Sequence, residues 1–267
     1  MAHASTRATP ATAGGSALPT QPSARGSAIR GRAPAQLNLQ LVPYPAVTVF
    51  IEFGDGVLVD GSGTRRSGGG VVGLTPGMLT AVGRDVDCLQ IRLSPLLAHA
   101  VFGDADPTGV LPLDAMWGND AQRLCARLQA ASSWDERFTI ATTELTRRAA
   151  SGPSVDPEVT ATWRAMVRSE GRIRIERIAD DIGWSRKRLW SRFGTQVGLP
   201  PKRAAQLIRF DSAAHRLATG TAPAEVAHTC GYADQSHLHR DARSFAGLTP
   251  AGVAEAPWLD VDDVAWR

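Results

Sequence analysis

Cysteine is scarce in this sequence, and its three residues stand far apart. The nearest pair, Cys88 and Cys125, is separated by 37 positions, and Cys230 follows much later. A disulfide scaffold or a zinc site of the Cys-x-x-Cys type needs several closely spaced thiols. Both are therefore excluded, and a sparse, odd cysteine count is typical of a protein in the reducing cytosol.

Long apolar runs are also lacking, as is an apolar core near the N-terminus. A bilayer-spanning helix needs about 18 apolar residues in succession. A secretory signal needs a shorter apolar core behind its first residues. We therefore predict a cytoplasmic protein that has no membrane partner.

Acidic residues are missing from the first 36 positions. This stretch is rich in Ala, Ser, Thr, Pro and Gly, and it carries four arginines. Such a composition buries too little apolar surface to offset the entropy lost when the chain becomes ordered. We predict a disordered tail over residues 1–36 and a short C-terminal tail over residues 256–267.

The formal net charge of +3 is unevenly distributed along the chain. Residues 171–253 hold 13 basic and 7 acidic residues, whereas the rest of the chain holds 16 and 19. A basic segment joined to a mildly acidic one indicates a phosphate-bearing partner at one end of the protein.

Short apolar segments broken by turns characterise residues 37–115, for which we predict a β-rich sensor domain. Residues 47–53 and 56–60 flank Gly54-Asp55, a pattern that predicts a β-hairpin. Residues 71–75 and 87–93 are two further strand candidates. In the last of these, apolar and other side chains alternate, as in a strand with two different faces.

After residue 115, the sequence patterns predict mainly helices. A capping box, Ser133-x-x-Glu136, predicts a helix that runs to about Ala150, and Pro157 opens another. We assign residues 116–170 to a helical connector and residues 171–255 to a separate C-terminal domain.

The C-terminal domain contains an approximate internal repeat. In the first copy, Ala179 lies in a helix and is followed four residues later by Gly183; in the second, Gly231 follows Ala227 in the same way. A small residue lets a second helix cross closely, and glycine supplies the positive φ of the turn between the helices. Residues 201–218 form a long helix between the copies, so the repeat predicts two helix-turn-helix units.

The second helix of the first copy has the composition of a DNA reader. Leu189 and Phe193 are its apolar anchors, and Trp190 and four cations surround them. A recognition helix needs long polar or cationic side chains on its exposed face, because its first turns meet the base edges in the major groove. A solvated bundle helix would explain the cations, but it explains neither Trp190 nor the repeat.

These residues resemble the DNA-binding domain of the AraC/XylS regulators from Arg177 to Pro250. The matching residues are Ile178-Ala179, Gly183-x-Ser185-x-x-x-Leu189-x-x-x-Phe193, Gly198-x-Pro200, Arg209, Gly231-Tyr232-Ala233-Asp234-Gln235-Ser236-His237-Leu238 and Gly247-Leu248-Thr249-Pro250. The resemblance implies an α+β multidomain protein. Its N-terminal sensor would be a small barrel or sandwich with helices, and its all-α domain would hold two helix-turn-helix units joined by one long helix.

The resemblance also implies a sequence-specific transcription regulator that binds double-stranded DNA. Control would come from a small-molecule effector or from homodimerisation through the N-terminal domain. The predicted base readers are Lys187, Trp190, Ser191, Gln235, Ser236, His239 and Arg240. Cations can bind phosphate without sequence-specific geometry, and the predicted phosphate contacts are Arg186, Arg188, Arg192 and Arg243.

One departure from the family pattern concerns Asp241 and Ala242, which replace the usual apolar pair. An acid at this position would face phosphate or solvent poorly, so we expect the DNA contacts of the second unit to be weaker or differently placed.

The main alternative is a DNA-repair protein in which an AraC-like domain carries a cysteine that accepts methyl groups. That reaction needs an activated thiolate, and a buried structural role is favoured for Cys88. A metal-dependent barrel is disfavoured because residues 37–98 contain no histidine. A third possibility is a binding module that does not bind DNA. In that case, the cations of residues 186–192 would only increase solubility. We predict no enzyme activity, no cofactor and no metal.

Overall fold

The computed structural model describes residues 24–41, 43–75, 77–104 and 109–256. Its N-terminal part is a sheet with flanking helices, and its C-terminal part is entirely helical. Within the described ranges, no helix combines the length and apolar character needed to cross a bilayer.

Seven antiparallel strands form one sheet that curls into a nearly closed barrel. The strand order is β4-β3-β6-β2-β5-β7, and β1 also pairs with β6. The strands are β1 (Ala24–Leu41), β2 (Val47–Glu52), β3 (Val57–Asp60), β4 (Arg65–Arg66), β5 (Gly69–Val72), β6 (Leu79–Leu93) and β7 (Val110–Pro112).

The long strand β6 organises the sheet by pairing along both of its edges. One edge pairs with β1 over most of its length, with a register shift between Arg32 and Leu37. The other edge pairs first with β3 and then with β2. The predicted hairpin between β2 and β3 is therefore wrong, because both strands run antiparallel to β6 and lie end to end beside it.

The turn at Gly54-Asp55 explains this arrangement. One carboxylate oxygen of Asp55 accepts hydrogen bonds from the backbone N–H groups of Arg84 and Asp85, at 2.9 and 2.8 Å. A Cβ atom on Gly54 would lie 1.9 Å from the carbonyl oxygen of Asp85. The turn thus packs onto β6 and carries the chain straight on, where a hairpin would reverse it.

Strand β1 corrects the prediction of a disordered tail over residues 1–36, since Ala24 to Arg32 pair with β6. Its backbone hydrogen bonds come from a partner some sixty residues along the chain, so local composition gave no signal of them. Residues 1–23 of that predicted tail, and residues 257–267 of the C-terminal one, lie outside the described ranges.

The two faces of the sheet build two different cores. On β2 and β6, Val49, Ile51, Leu89 and Ile91 point outward and pack beneath helices. The other face turns into the barrel, where Phe50, Val72, Val86 and Cys88 cluster. The alternation predicted for residues 87–93 is confirmed, and it separates the helix-covered face from the barrel interior.

Eleven helices follow within the described residues, and their ends agree with the predicted capping signals. For example, the Ser133 hydroxyl accepts a hydrogen bond from the N–H of Glu136 at 3.2 Å. The helices of the first half are α1 (Pro95–Phe102), α2 (Leu113–Trp117), α3 (Asn119–Ala130), α4 (Trp134–Ser151) and α5 (Pro157–Arg168). Those of the C-terminal domain are α6 (Ile175–Asp181), α7 (Arg186–Val197), α8 (Pro201–Ala218), α9 (Pro223–Thr229), α10 (Gln235–Ala246) and α11 (Pro250–Glu255). The predicted fold class, a barrel-like domain followed by an all-α domain, is confirmed.

Candidate nucleic-acid interface

The first helix-turn-helix unit consists of α6 and α7. Gly183 has a φ of 68° in the turn, a value that favours glycine. The Ser185 hydroxyl caps α7 by accepting a hydrogen bond from the N–H of Arg188 at 3.2 Å. Leu189 and Phe193 are completely buried, as predicted for the anchors of this helix.

The second unit, α9 and α10, is built in the same way. Gly231 has a φ of 72°, and the Asp234 carboxylate caps α10 by accepting a hydrogen bond from the N–H of His237 at 2.7 Å. Leu238 and Phe245 hold α10 in the core. Asp234 is therefore a helix cap at the N-terminus of a candidate reading helix.

Helix α8 joins the two units through a shared core. Its residues Leu207, Phe210 and Leu217 are fully buried, and the ring of Phe210 stacks on that of Phe245 with centroids 5.3 Å apart. Because α8 packs against α7, α9, α10 and α11, it holds both candidate reading helices in one frame.

The predicted DNA contacts fall almost entirely on exposed surface. Trp190 is the exception, since it is half-buried and packs against the core. The remaining ten predicted residues are exposed: Arg186, Lys187, Arg188, Ser191, Arg192, Gln235, Ser236, His239, Arg240 and Arg243. Each capped helix thus presents polar and cationic side chains beside its buried anchors.

Two of the predicted phosphate contacts already have partners within the protein. The Arg188 guanidinium lies 4.2 Å from the centroid of the buried Trp184 ring. Arg192 donates two hydrogen bonds, of 2.7 and 2.8 Å, to the carboxylate of Asp156 in front of α5. These bonds hold the pKa of Asp156 below its ordinary value and raise the pKa of Arg192. Arg192 therefore ties α7 to the connector as well as bearing charge.

Asp241 does not lie on the exposed face of α10. Its side chain is only 6% exposed and lies 3.5 Å from Nη2 of Arg209. The reason is helical periodicity, because Leu238, Asp241, Ala242 and Phe245 recur at the spacing of one helix face and are all buried. The acid belongs to the core of the second unit.

Arg209 and Arg203 acquire roles that the sequence motifs did not assign. The Arg209 guanidinium lies 4.6 Å from the centroid of the Tyr232 ring and pairs with Asp241. Arg203 covers the Phe245 ring at 3.7 Å and donates a hydrogen bond to the Ser244 hydroxyl. These two arginines of α8 therefore pack against α10 and its turn.

The barrel encloses a second candidate site, a cavity with about 830 Å³ of empty space including its open mouth. Its walls are mainly apolar and come from five strands and the segment before β2. Tyr44, Thr48 and Gln90 supply polar atoms, and the Tyr44 hydroxyl hydrogen-bonds both of the others, at 2.8 and 3.1 Å. A mainly apolar lining with a few convergent polar groups is typical of small-molecule sites.

The chemistry of Cys88 disfavours the methyl-acceptor alternative. This cysteine is buried in the barrel wall, and burial raises the pKa of its thiol far above the ordinary value, with the nearby Glu52 carboxylate adding to the shift. A nucleophilic cysteine needs the opposite, a stabilised thiolate. Among the described side chains, no group of three metal-binding residues comes together.

A family model decides what the C-terminal helices are. Residues 178–256 match the model of a helix-turn-helix domain family, described as "Helix-turn-helix domain". This segment is an AraC-type helix-turn-helix domain. It includes nearly all of both units and the whole of α8. The match covers the C-terminal domain, in which both candidate reading helices lie.

Several solved structures match the chain at low sequence identity. ToxT from Vibrio cholerae is 12% identical, with a TM-score of 0.50 over 87% of this chain and 98% of that one. The C-terminal domain of AraT, a response regulator from Geobacillus stearothermophilus, is 18% identical, with a TM-score of 0.37 over 42% and 96%. The AraC-like transcriptional activator CuxR is 15% identical, with a TM-score of 0.30 over 63% and 73%. No curated protein shows significant sequence similarity to the chain.

Proposed function

We propose that this AraC-type regulator is a cytoplasmic protein that reads a bipartite DNA site, with α7 and α10 entering successive major grooves. The observation that carries the proposal is the pair of capped helices, each with buried anchors and an exposed polar face, on the common frame of α8. Lys187 and Ser191 would read bases from α7; Gln235, Ser236, His239 and Arg240 would read them from α10. Arg186, Arg188 and Arg243 would contact phosphate.

Trp190 and Arg192 take more specific roles in this proposal. Trp190 keeps part of its ring accessible beside Lys187 and Ser191, so it would add apolar contact with a base, such as a thymine methyl group. Arg192 would exchange Asp156 for a phosphate, because an exposed ion pair of this kind is worth at most about 1 kcal/mol.

Control by a small molecule in the barrel cavity completes the proposed function. The cavity is lined mainly by apolar side chains, and its described wall residues include no cation. A neutral, largely apolar molecule with one hydroxyl or carbonyl group fits it better than a carboxylate, since a buried anion without a partner is costly. Homodimerisation through the N-terminal domain would be a second means of control.

Selection from random duplexes tests the DNA-reading proposal. The wild-type chain should enrich a site with two separated blocks, one for each reading helix. Lys187→Ala should weaken binding by about 1–3 kcal/mol and relax preference in one block, and Arg240→Ala should do so in the other. Affinities at several salt concentrations and selection with each variant provide the measurement.

A control variant sharpens that experiment. Lys202→Ala removes an exposed cation from α8, outside both reading helices, and should leave both blocks unchanged. If neither Lys187→Ala nor Arg240→Ala altered affinity or preference, these residues would not read bases. If folded wild-type protein enriched no sequence, the DNA-reading proposal itself would fail.

Calorimetric titration with 1-naphthol tests the proposed effector site. This neutral probe should bind and stabilise the protein by about 2.7 kcal/mol at a concentration about 100 times its Kd. Ala81→Trp fills the cavity, because Ala81 lies in its wall, and should abolish the titration signal. Ala126→Trp, at an exposed position on α3, is the matched control and should bind normally. Equal binding by both variants would place the ligand elsewhere.

A further inference from the structure

Asp156 occupies the N-cap position of α5, but its side chain does not cap that helix. Aspartate is among the residues that cap helices best, because its carboxylate accepts a hydrogen bond from a backbone N–H of the first turn. Here both carboxylate oxygens instead accept hydrogen bonds from Arg192 on α7, at 2.7 and 2.8 Å. The carboxylate is therefore directed away from its own helix and toward a reading helix.

A second bond from α7 holds the backbone of the same residue. The N–H of Asp156 donates a hydrogen bond of 2.9 Å to Oε1 of Gln196, which is only 4% exposed. Gln196 lies one helical turn after Arg192, so both side chains point to the same part of the connector. Because α5 also packs against α7, the connector stays in place when the carboxylate changes its partner.

The ion pair is placed where it competes with DNA. The Arg192 side chain is 49% exposed, and it follows directly on Ser191, one of the exposed candidate base readers of α7. A guanidinium forms bidentate hydrogen bonds with a carboxylate or with a phosphate. The Asp156 carboxylate occupies two of these donors, Nε and Nη2, and it neutralises the charge that would attract a phosphate.

We propose that Asp156 is an intramolecular competitor of DNA, an autoinhibitory contact that holds Arg192 of the first reading helix until a phosphate replaces the carboxylate. This inference rests on the phosphate role proposed for Arg192 and adds the group that opposes it. Once released, the Asp156 carboxylate can turn to the N–H groups of the first turn of α5 and cap them. Both charged groups then have another partner, so the exchange has two defined end states.

Asp156→Asn tests the competition, because asparagine caps helices as well as aspartate does but carries no charge. On a duplex enriched by the wild type, this variant should bind about two- to fivefold more tightly, the range that the loss of an exposed ion pair allows. In an Arg192→Met background, the same substitution should have almost no effect, because the group for which the carboxylate competes is gone. Fluorescence anisotropy at one fixed salt concentration gives the four Kd values of this cycle.

Glu158→Gln is the matched control. Glu158 lies in the first turn of α5, so this variant changes the net charge equally but leaves the ion pair intact, and it should tighten binding less than Asp156→Asn. Unchanged or weaker DNA binding by Asp156→Asn would overturn the competition, and weaker binding would show that the carboxylate orients Arg192 for phosphate. An equal gain in Glu158→Gln, or in the Arg192→Met background, would overturn it as a general effect of charge. If the wild type enriched no duplex, the DNA-reading proposal itself would fail, and this inference with it.

Discussion

Asp241→Ala is expected to lower the free energy of unfolding by about 3 kcal/mol, near the lower end of the range for removing one partner of a buried ion pair. The substitution leaves the Arg209 guanidinium, whose side chain is 15% exposed, without its acid. One remaining polar neighbour is His237, whose Nε2 is 3.5 Å from Nη2 of Arg209. Urea unfolding followed by tryptophan fluorescence and by circular dichroism measures the loss.

A paired variant separates this interpretation from the expectation drawn from the sequence. Replacing both residues, as in Arg209→Met with Asp241→Leu, should recover most of the lost stability, because an apolar pair removes the uncompensated charge. If Asp241 instead faced DNA and repelled phosphate, Asp241→Asn would bind DNA more tightly without any loss of stability. Tighter binding by a fully stable Asp241→Asn protein would therefore contradict the buried ion pair.

Phe193→Ala is expected to cost about 3–5 kcal/mol, the usual loss when a buried aromatic ring is truncated to a methyl group. Phe193 is completely buried, and its ring centroid lies 6.5 Å from that of Trp163 on α5. The cavity left behind would therefore loosen α7 against both its own unit and the connector. Chemical denaturation gives the stability, and a DNA-binding assay at a temperature where the variant is folded gives the functional cost.

Ser191→Ala provides the matched control on the same helix. Ser191 is exposed, and surface substitutions of this kind usually change stability by less than about 0.5 kcal/mol. It should alter base preference without altering the urea midpoint, the reverse of the pattern expected for Phe193→Ala. Equal losses of stability in the two variants would show that α7 is not anchored as the structure indicates.

The reading helices could be located from the sequence because every signal that defines them is local. The turn glycines Gly183 and Gly231 and the caps Ser185 and Asp234 act within one or two helical turns. The same period of 3.6 residues also places Asp241 on the buried face of α10. The burial of Asp241 therefore follows from the sequence periodicity, although its charge alone would place it on the surface.

The strand pairings of the barrel could not be predicted in the same way. The turn at Gly54-Asp55 has the composition of a hairpin, but its direction is set by hydrogen bonds to Arg84 and Asp85. Strand β1 has the composition of a disordered segment and is ordered by pairing with β6. In both cases a distant partner supplies the hydrogen bonds that decide the structure.

The sequence by itself determined the two helix-turn-helix units, the exposed polar face of each reading helix, and the two faces of β6. These features follow from backbone geometry and side-chain periodicity over short stretches of chain. Only the tertiary structure decided that Arg192 bonds Asp156, 36 positions away, that Asp241 pairs with Arg209, and that a cavity forms inside the barrel. The physical reason is that charge pairs and cavities depend on which surfaces come into contact when the chain folds. The spacing of residues along the sequence does not specify those long-range contacts.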